Sequence, residues 1–253
     1  MPLPFAAYAE RARVVERVDS HDVTDDELNA VFDFSDAVAR FPGGHSVILG
    51  FLARASRRWL GPVSILDLGC GRGALSRAII DWSRARGLDV KVHGSDKYGR
   101  VVAMARDRHR GAADLTFETR DLNDPFFLSA QQFDYVVSAQ ALHREPDERT
   151  ALFLKTANRQ AKRGLIVLDW MRDARAAFYL STLARACKEP LVRKEARLAV
   201  QRGFTTEEAE KLKAAVGLDF ARVRRHFGYR FSIEGERGLV MGTGLAPIPE
   251  LAT

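Results

Sequence analysis

From residue 63 onward, short runs of Val, Ile and Leu alternate with longer segments whose apolar side chains recur every three or four positions. The short runs predict strands buried on both faces, and the longer segments predict amphipathic helices. Strands are expected at 63–68, 90–94, 115–119, 133–138 and 165–168, with helices at 74–86, 101–110 and 147–162. This alternation predicts an α/β domain built on a parallel sheet covered by helices. Two further strands, 221–231 and 238–242, would close it, joined by a turn over 232–237.

The flanking pattern is helical. Residues 1–60 read as an N-terminal helical cap, and 61–253 as the core. An amphipathic helix is expected over 4–18. A second opens at Thr24, with Glu27 three residues on as its capping-box partner, and ends near Arg40. A third runs from His45 to Trp59 and stops at Gly61-Pro62. Residues 171–203 break the strand–helix rhythm. They are basic and amphipathic, interrupted near Pro190, and follow the fifth strand, so they predict a helical lid insertion over a pocket. A peripheral contact with anionic lipid is a second reading of the same segment. Thr205 caps a helix to 216, and 245–253 reads as a loose tail.

Composition narrows this picture. The net charge of +6 is spread over nearly every expected helix, with no block of five like charges, so no nucleic-acid partner is expected. No apolar run approaches the roughly 20 residues of a membrane span. The N-terminus lacks the charged start and apolar stretch of a secretory signal, which points to the cytoplasm. The two cysteines, Cys70 and Cys187, read as reduced thiols, and no spacing of metal ligands is present.

The chemistry concentrates where the first strand runs into Asp67-Leu68-Gly69-Cys70-Gly71-Arg72-Gly73. Glycines at a strand-to-helix turn let the backbone approach a ligand closely. Gly69, Gly71 and Ala74 also satisfy a dinucleotide pattern, so the loop alone leaves NAD and S-adenosylmethionine both open. Asp96, after the second strand, suits ribose hydroxyls in either case. Asp67 favours the sulfonium cofactor, because a carboxylate there suits an ammonium group and repels a pyrophosphate. Asp121-Leu122 follows the third strand, where an acid and the next backbone N–H can meet an adenine.

With these residues the chain resembles the class I S-adenosylmethionine-dependent methyltransferases. The likeness is carried by residues 65–73, 92–96, 120–122 and 133–143 and spans 63–244. More narrowly, the chain is similar to small-molecule O-methyltransferases that act on quinone precursors and polyketides. The resemblance implies a Rossmann-like seven-stranded sheet, S-adenosylmethionine as cofactor with S-adenosylhomocysteine as product, and a small aromatic or polyketide-like acceptor. It also implies cofactor contacts from Asp67, the Gly69, Cys70, Gly71 and Gly73 backbone, Asp96, Lys97, Asp121, Leu122, Ser138, Ala139 and Gln140. His45 is a candidate for the cofactor carboxylate or a helix cap. His143, after the fourth strand, is the candidate base, its ordinary pKa being suited to a phenol or enol. Tyr8, Trp170, Arg172 and Tyr179 are candidate pocket residues, and His93 reads as a core residue. An RNA or DNA methyltransferase, a cofactor-binding pseudoenzyme and an NAD-dependent oxidoreductase are the competing readings.

Overall fold

The computed structural model describes residues 8–19, 22–128 and 132–238. Its strands are β1 (Val63–Leu68), β2 (Val90–Asp96), β3 (Leu115–Thr119), β4 (Phe133–Ala139), β5 (Ala161–Trp170), β6 (Arg222–His226) and β7 (Arg230–Glu236). They form one seven-stranded sheet in the order β3-β2-β1-β4-β5-β7-β6. The first five pair in parallel, β7 runs antiparallel to β5, and β6 antiparallel to β7. The helices are α1 (Asp25–Arg40), α2 (His45–Ala55), α3 (Ala74–Arg84), α4 (Gly99–Arg108), α5 (Pro125–Leu128), α6 (Asp147–Gln160), α7 (Ala174–Ala184), α8 (Pro190–Gln201) and α9 (Thr206–Ala215).

Successive strand residues serve opposite layers. Ile65, Tyr135, Val137 and Ile166 pack with α2, α3 and α4. Leu66, Val136, Leu165 and Val167 pack with α6 and α9. Neither face of these strands meets solvent, which is why they read as unbroken apolar runs. Ile48, Phe51, Leu52 and Ala55 place α2 in the same packed layer as α3. A further cluster, with Val38 of α1, Trp170, Leu180 of α7 and Val192 of α8, sits above the carboxyl edge of the sheet. The order reverses between β1 and β4, which opens a crevice at that edge for a ligand.

Helix ends follow local chemistry. The Thr24 side chain accepts from the Glu27 N–H while Glu27 bonds back to Thr24, and Thr205 with Glu208 repeats the arrangement at α9. Pro190 opens α8 as its first residue, where a missing N–H costs nothing.

Two expectations are corrected. Within the expected helix over 4–18, residues 11–16 form an irregular strap and Arg17–Asp19 a single short turn; 1–7 lie outside the described residues. The strap's backbone is bonded to α8 and the residue after it instead of to itself: Ala12 N donates to the Gln201 carbonyl (2.9 Å), Arg202 donates to the Val14 carbonyl (2.6 Å), and Arg17 N donates to Glu195 (3.2 Å). These tertiary partners outweigh the helical spacing of its apolar residues. The second correction concerns the closing strands. The turn falls at Phe227–Tyr229, and the expected turn over 232–237 is mostly β7. Gly228 and Tyr229 both take positive φ (74° and 57°) and reverse the chain there. Phe231 and Ile233, both fully buried, then fill the sheet's inner face. Residues 239–242 and the tail lie outside the described residues.

Candidate active site

The glycine loop leaves β1 at the crevice. Gly69, Gly71 and Gly73 all take positive φ (76°, 53° and 76°). A Cβ on Gly69 would stand 2.4 Å from that of Ala141, so no larger residue fits beside β4. The Gly69 and Cys70 N–H groups both donate to the Ser95 carbonyl (2.8 and 3.0 Å), tying the loop to β2. Asp96 then organises the rim: its carboxylate accepts from Gly71 N (3.0 Å) and Tyr98 N (3.1 Å). Asp67 lies beneath, 1% exposed, and accepts from the Ser76 hydroxyl at 2.6 Å. Burial, with Asp96 nearby and against the Ser76 bond, pushes its pKa up to about 7. Burial also raises the Cys70 thiol; Cys70 and Cys187 are both free.

Two hollows meet at this loop. One lies between Leu68, Asp96, Lys97, Arg120 and Leu122. The other is lined by Asp67, Cys70, Gly71, His45, Ala139 and Gln140. Lys97 pairs with Glu145 at 2.8 Å. The Asp121 carboxylate is taken by Asn123 N and the Arg149 guanidinium (3.0 and 2.6 Å), so Leu122 lines the hollow while Asp121 braces the turn beside it. Ser138 is fully buried within β4. His45 is the first residue of α2, which Gly44 caps, and burial lowers its pKa to about 4. His93, expected in the core, is half-buried and stacks against Phe126 and Phe133.

An apolar cavity adjoins the second hollow. Val31, Phe34 and Val38 of α1, Trp170, Leu180 of α7 and Val192 of α8 form its walls. Phe32, Ser35, Gln140 and Arg144 line both spaces and so form the partition. Gln140 sits at positive φ (57°) with its amide oxygen accepting from Ser35 (2.9 Å). His143 faces the cavity from the other side. Its Nδ1 donates to Asp169 at 2.6 Å and its backbone N–H to the other oxygen of the same carboxylate at 2.8 Å. Its Nε2 stands 3.3 Å from Glu16 of the strap. Burial disfavours the imidazolium, but Asp169 and Glu16 more than offset it and raise the pKa to about 9. The same contacts, with Arg144 and Arg202, hold Glu16 below the ordinary carboxylate range against its burial.

Of the other pocket candidates, Trp170 lines the cavity. Arg172 instead ties the end of β5 to its surroundings, donating to the Tyr8 and Gly203 carbonyls and to Glu208. Tyr179 lies against Tyr229. Sequence reasoning missed three groups around His143. Asp169 carried a signal, an acid at the carboxyl end of an expected strand. Arg144 carried a weaker one, as the neighbour of His143. Glu16 carried none, because its place depends on the course of the strap.

The profile of a family described as a methyltransferase domain matches residues 62–213, and the chain belongs to that family. Its fold is similar to that of the plantazolicin methyltransferase BamL, bound to SAH and a desmethyl plantazolicin analogue (TM-score 0.63, 14% identity, 83% of this chain and 74% of that one). It is also similar to magnesium protoporphyrin IX methyltransferase from Synechocystis PCC 6803 with bound SAH (TM-score 0.55, 19% identity, 87% and 91%). A third likeness is to the CMeT domain of the citrinin polyketide synthase (TM-score 0.57, 13% identity, 76% and 51%). Among curated sequences, a non-reducing polyketide synthase of Penicillium shearii is 30% identical over 88 residues, and one of Metarhizium robertsii 30% identical over 97. The match to each covers about a third of this chain (35% and 36%) and 4% of the synthase.

Proposed function

We propose that this methyltransferase takes its methyl group from S-adenosylmethionine and passes it to an oxygen, or an activated carbon, of a small aromatic or polyketide-like acceptor, releasing S-adenosylhomocysteine. The observation that carries the reading is the partition at Phe32, Ser35, Gln140 and Arg144, which joins an acid-lined cleft to an apolar cavity facing His143. The residues present fit the cofactor. Asp67 is a buried carboxylate that an ammonium group would neutralise, and Asp96 stands at the rim of the loop, where ribose hydroxyls can reach it. Leu122 and Lys97 flank the adenine side, while Ala139 and Gln140 flank the methionine side.

Bound there, the cofactor supplies an electrophilic methyl group on a sulfonium. The protein aligns the acceptor and keeps water out. The apolar walls on α1, α7 and α8 do the second, and a dry site favours the meeting of an oxyanion with a cation. Asp169 fixes Nδ1 of His143 as a donor, so Nε2 is the nitrogen that can take a proton from a phenol or enol. The SAH-bound neighbours in fold, named for action on a natural product and a porphyrin, and the likeness to a polyketide synthase domain support a small acceptor.

The test is transfer of label from methyl-tritiated cofactor to a panel of phenols, hydroxyquinones and 1,3-dicarbonyls. Product is expected with members of that panel. Replacing His143 with Ala should lower turnover by about 10²- to 10⁴-fold, the usual contribution of a positioned base. Label passing to RNA or DNA and to none of the panel would contradict the reading.

A further inference from the structure

The Glu16 carboxylate lines the apolar cavity beside His143. Only 5% exposed, it reaches from the strap into the wall of the acceptor cavity, between the Nε2 of His143 (3.3 Å) and the guanidinium groups of Arg144 and Arg202 (each 3.8 Å). The two sides of His143 are held very differently. Asp169 grips Nδ1 at 2.6 Å with both oxygens bonded. Glu16 meets Nε2 beyond the roughly 2.8 Å of a charge-assisted bond, and its Oε1 makes no hydrogen bond of good geometry among the described residues. The strap that carries it is tied down through Arg11, Ala12 and the Val14 carbonyl, but it exposes the Val14 (62%) and Val15 (69%) side chains to solvent. With Glu16 in place both imidazole nitrogens face carboxylates, and neither can take a proton from an acceptor.

We propose that Glu16 is an internal stand-in for the acceptor's ionised oxygen, and that a phenolate or enolate binds by displacing it from His143 and Arg144. This rests on the reading of the apolar cavity as the acceptor site. It narrows the acceptor to apolar molecules whose acidic O–H is conjugated to the methylated atom, since an oxyanion restores the negative charge that the displaced carboxylate held against His143, Arg144 and Arg202. His143 loses one carboxylate neighbour in the exchange and keeps Asp169. The charged groups that then face it are Asp169 from β5, Arg144 beside it, Arg202 after α8 and the oxyanion itself, with Arg11 bonded to its backbone carbonyl.

The probe is 4-nitrophenol, whose absorbance reports both binding and ionisation without methyl transfer, titrated into the SAH-bound protein. Glu16→Gln keeps the side-chain volume and removes the charge; Glu16→Ala removes both. Each should bind nitrophenolate at least about tenfold tighter than the wild type, because the competing charge is gone. The gain should vanish when His143→Gln is added. Unchanged or weaker binding in Glu16→Gln would overturn the proposal and make Glu16 a structural buttress. SAH affinity, read by calorimetry in the same samples, separates the outcomes: if SAH does not bind, the cofactor reading fails first; if it binds normally and nitrophenolate does not tighten, only the role of Glu16 fails.

Discussion

At the residue scale, the Asp169 carboxylate is shared among three donors: the Nδ1 and backbone N–H of His143 and the N–H of Trp170 (2.6, 2.8 and 2.7 Å). That sharing fixes the ring's tautomer as well as its position. Asp169→Asn should therefore reduce kcat by about 10²-fold or more while leaving SAH affinity unchanged. The pH dependence follows from the charges around the ring. In the free enzyme His143 titrates near 9, so the basic form needed for proton removal increases as pH rises through that value. The acidic limb of kcat/KM should lie there and move to lower pH in Glu16→Gln; a limb that stays in place would separate it from His143. Asp67 gives a second signature. Its pKa is raised to about 7, so below that pH the free protein holds a proton that an ammonium group must expel. SAH affinity should therefore rise from pH 5 to 8, with proton release visible as a buffer-dependent binding enthalpy. These roles were unevenly legible in the sequence. His143, Asp67 and Asp96 stood at strand ends, where spacing exposes them. Glu16 lies 127 positions before His143 in a segment whose spacing read as helix, and only that segment's bonds to α8 and Arg202 place it in the cavity.

At the scale of elements, the loop after β1 is the least forgiving. Gly69→Ala forces a positive φ onto a residue with a Cβ, costing about 1–2 kcal/mol before any clash, and places that Cβ 2.4 Å from Ala141. It should lower the melting temperature and weaken SAH binding together; a variant that melts earlier but binds SAH normally would show that the loop shape is not needed for the cofactor. Helix caps tolerate more. Thr24→Ala removes the hydroxyl's two bonds to Glu27 at the start of α1 and should cost about 1 kcal/mol in urea unfolding, with little effect on SAH binding. The caps were legible because they depend on residues three apart. The β6–β7 turn was not, because the alternation of apolar residues runs on through Tyr229 and Phe231, and the positive φ at Tyr229 leaves no mark in the residue type.

At the scale of the molecule, the sheet order brings the ends of β1, β2 and β4 to one edge, and α7 and α8 with α1 roof the cavity beside it. The order was foreseeable once the glycine loop and its acids identified the family. The roof was foreseeable only as a lid after the fifth strand, since which faces meet depends on long-range packing. Everything proposed for the cavity depends on the cleft holding an adenosyl sulfonium cofactor, so the most direct measurement is calorimetric titration with S-adenosylmethionine, S-adenosylhomocysteine and NAD. One site is expected for each adenosyl compound, with no binding of NAD and a loss of more than about tenfold in Asp96→Ala. Binding of NAD with neither adenosyl compound, or full affinity in Asp96→Ala, would contradict the cofactor reading.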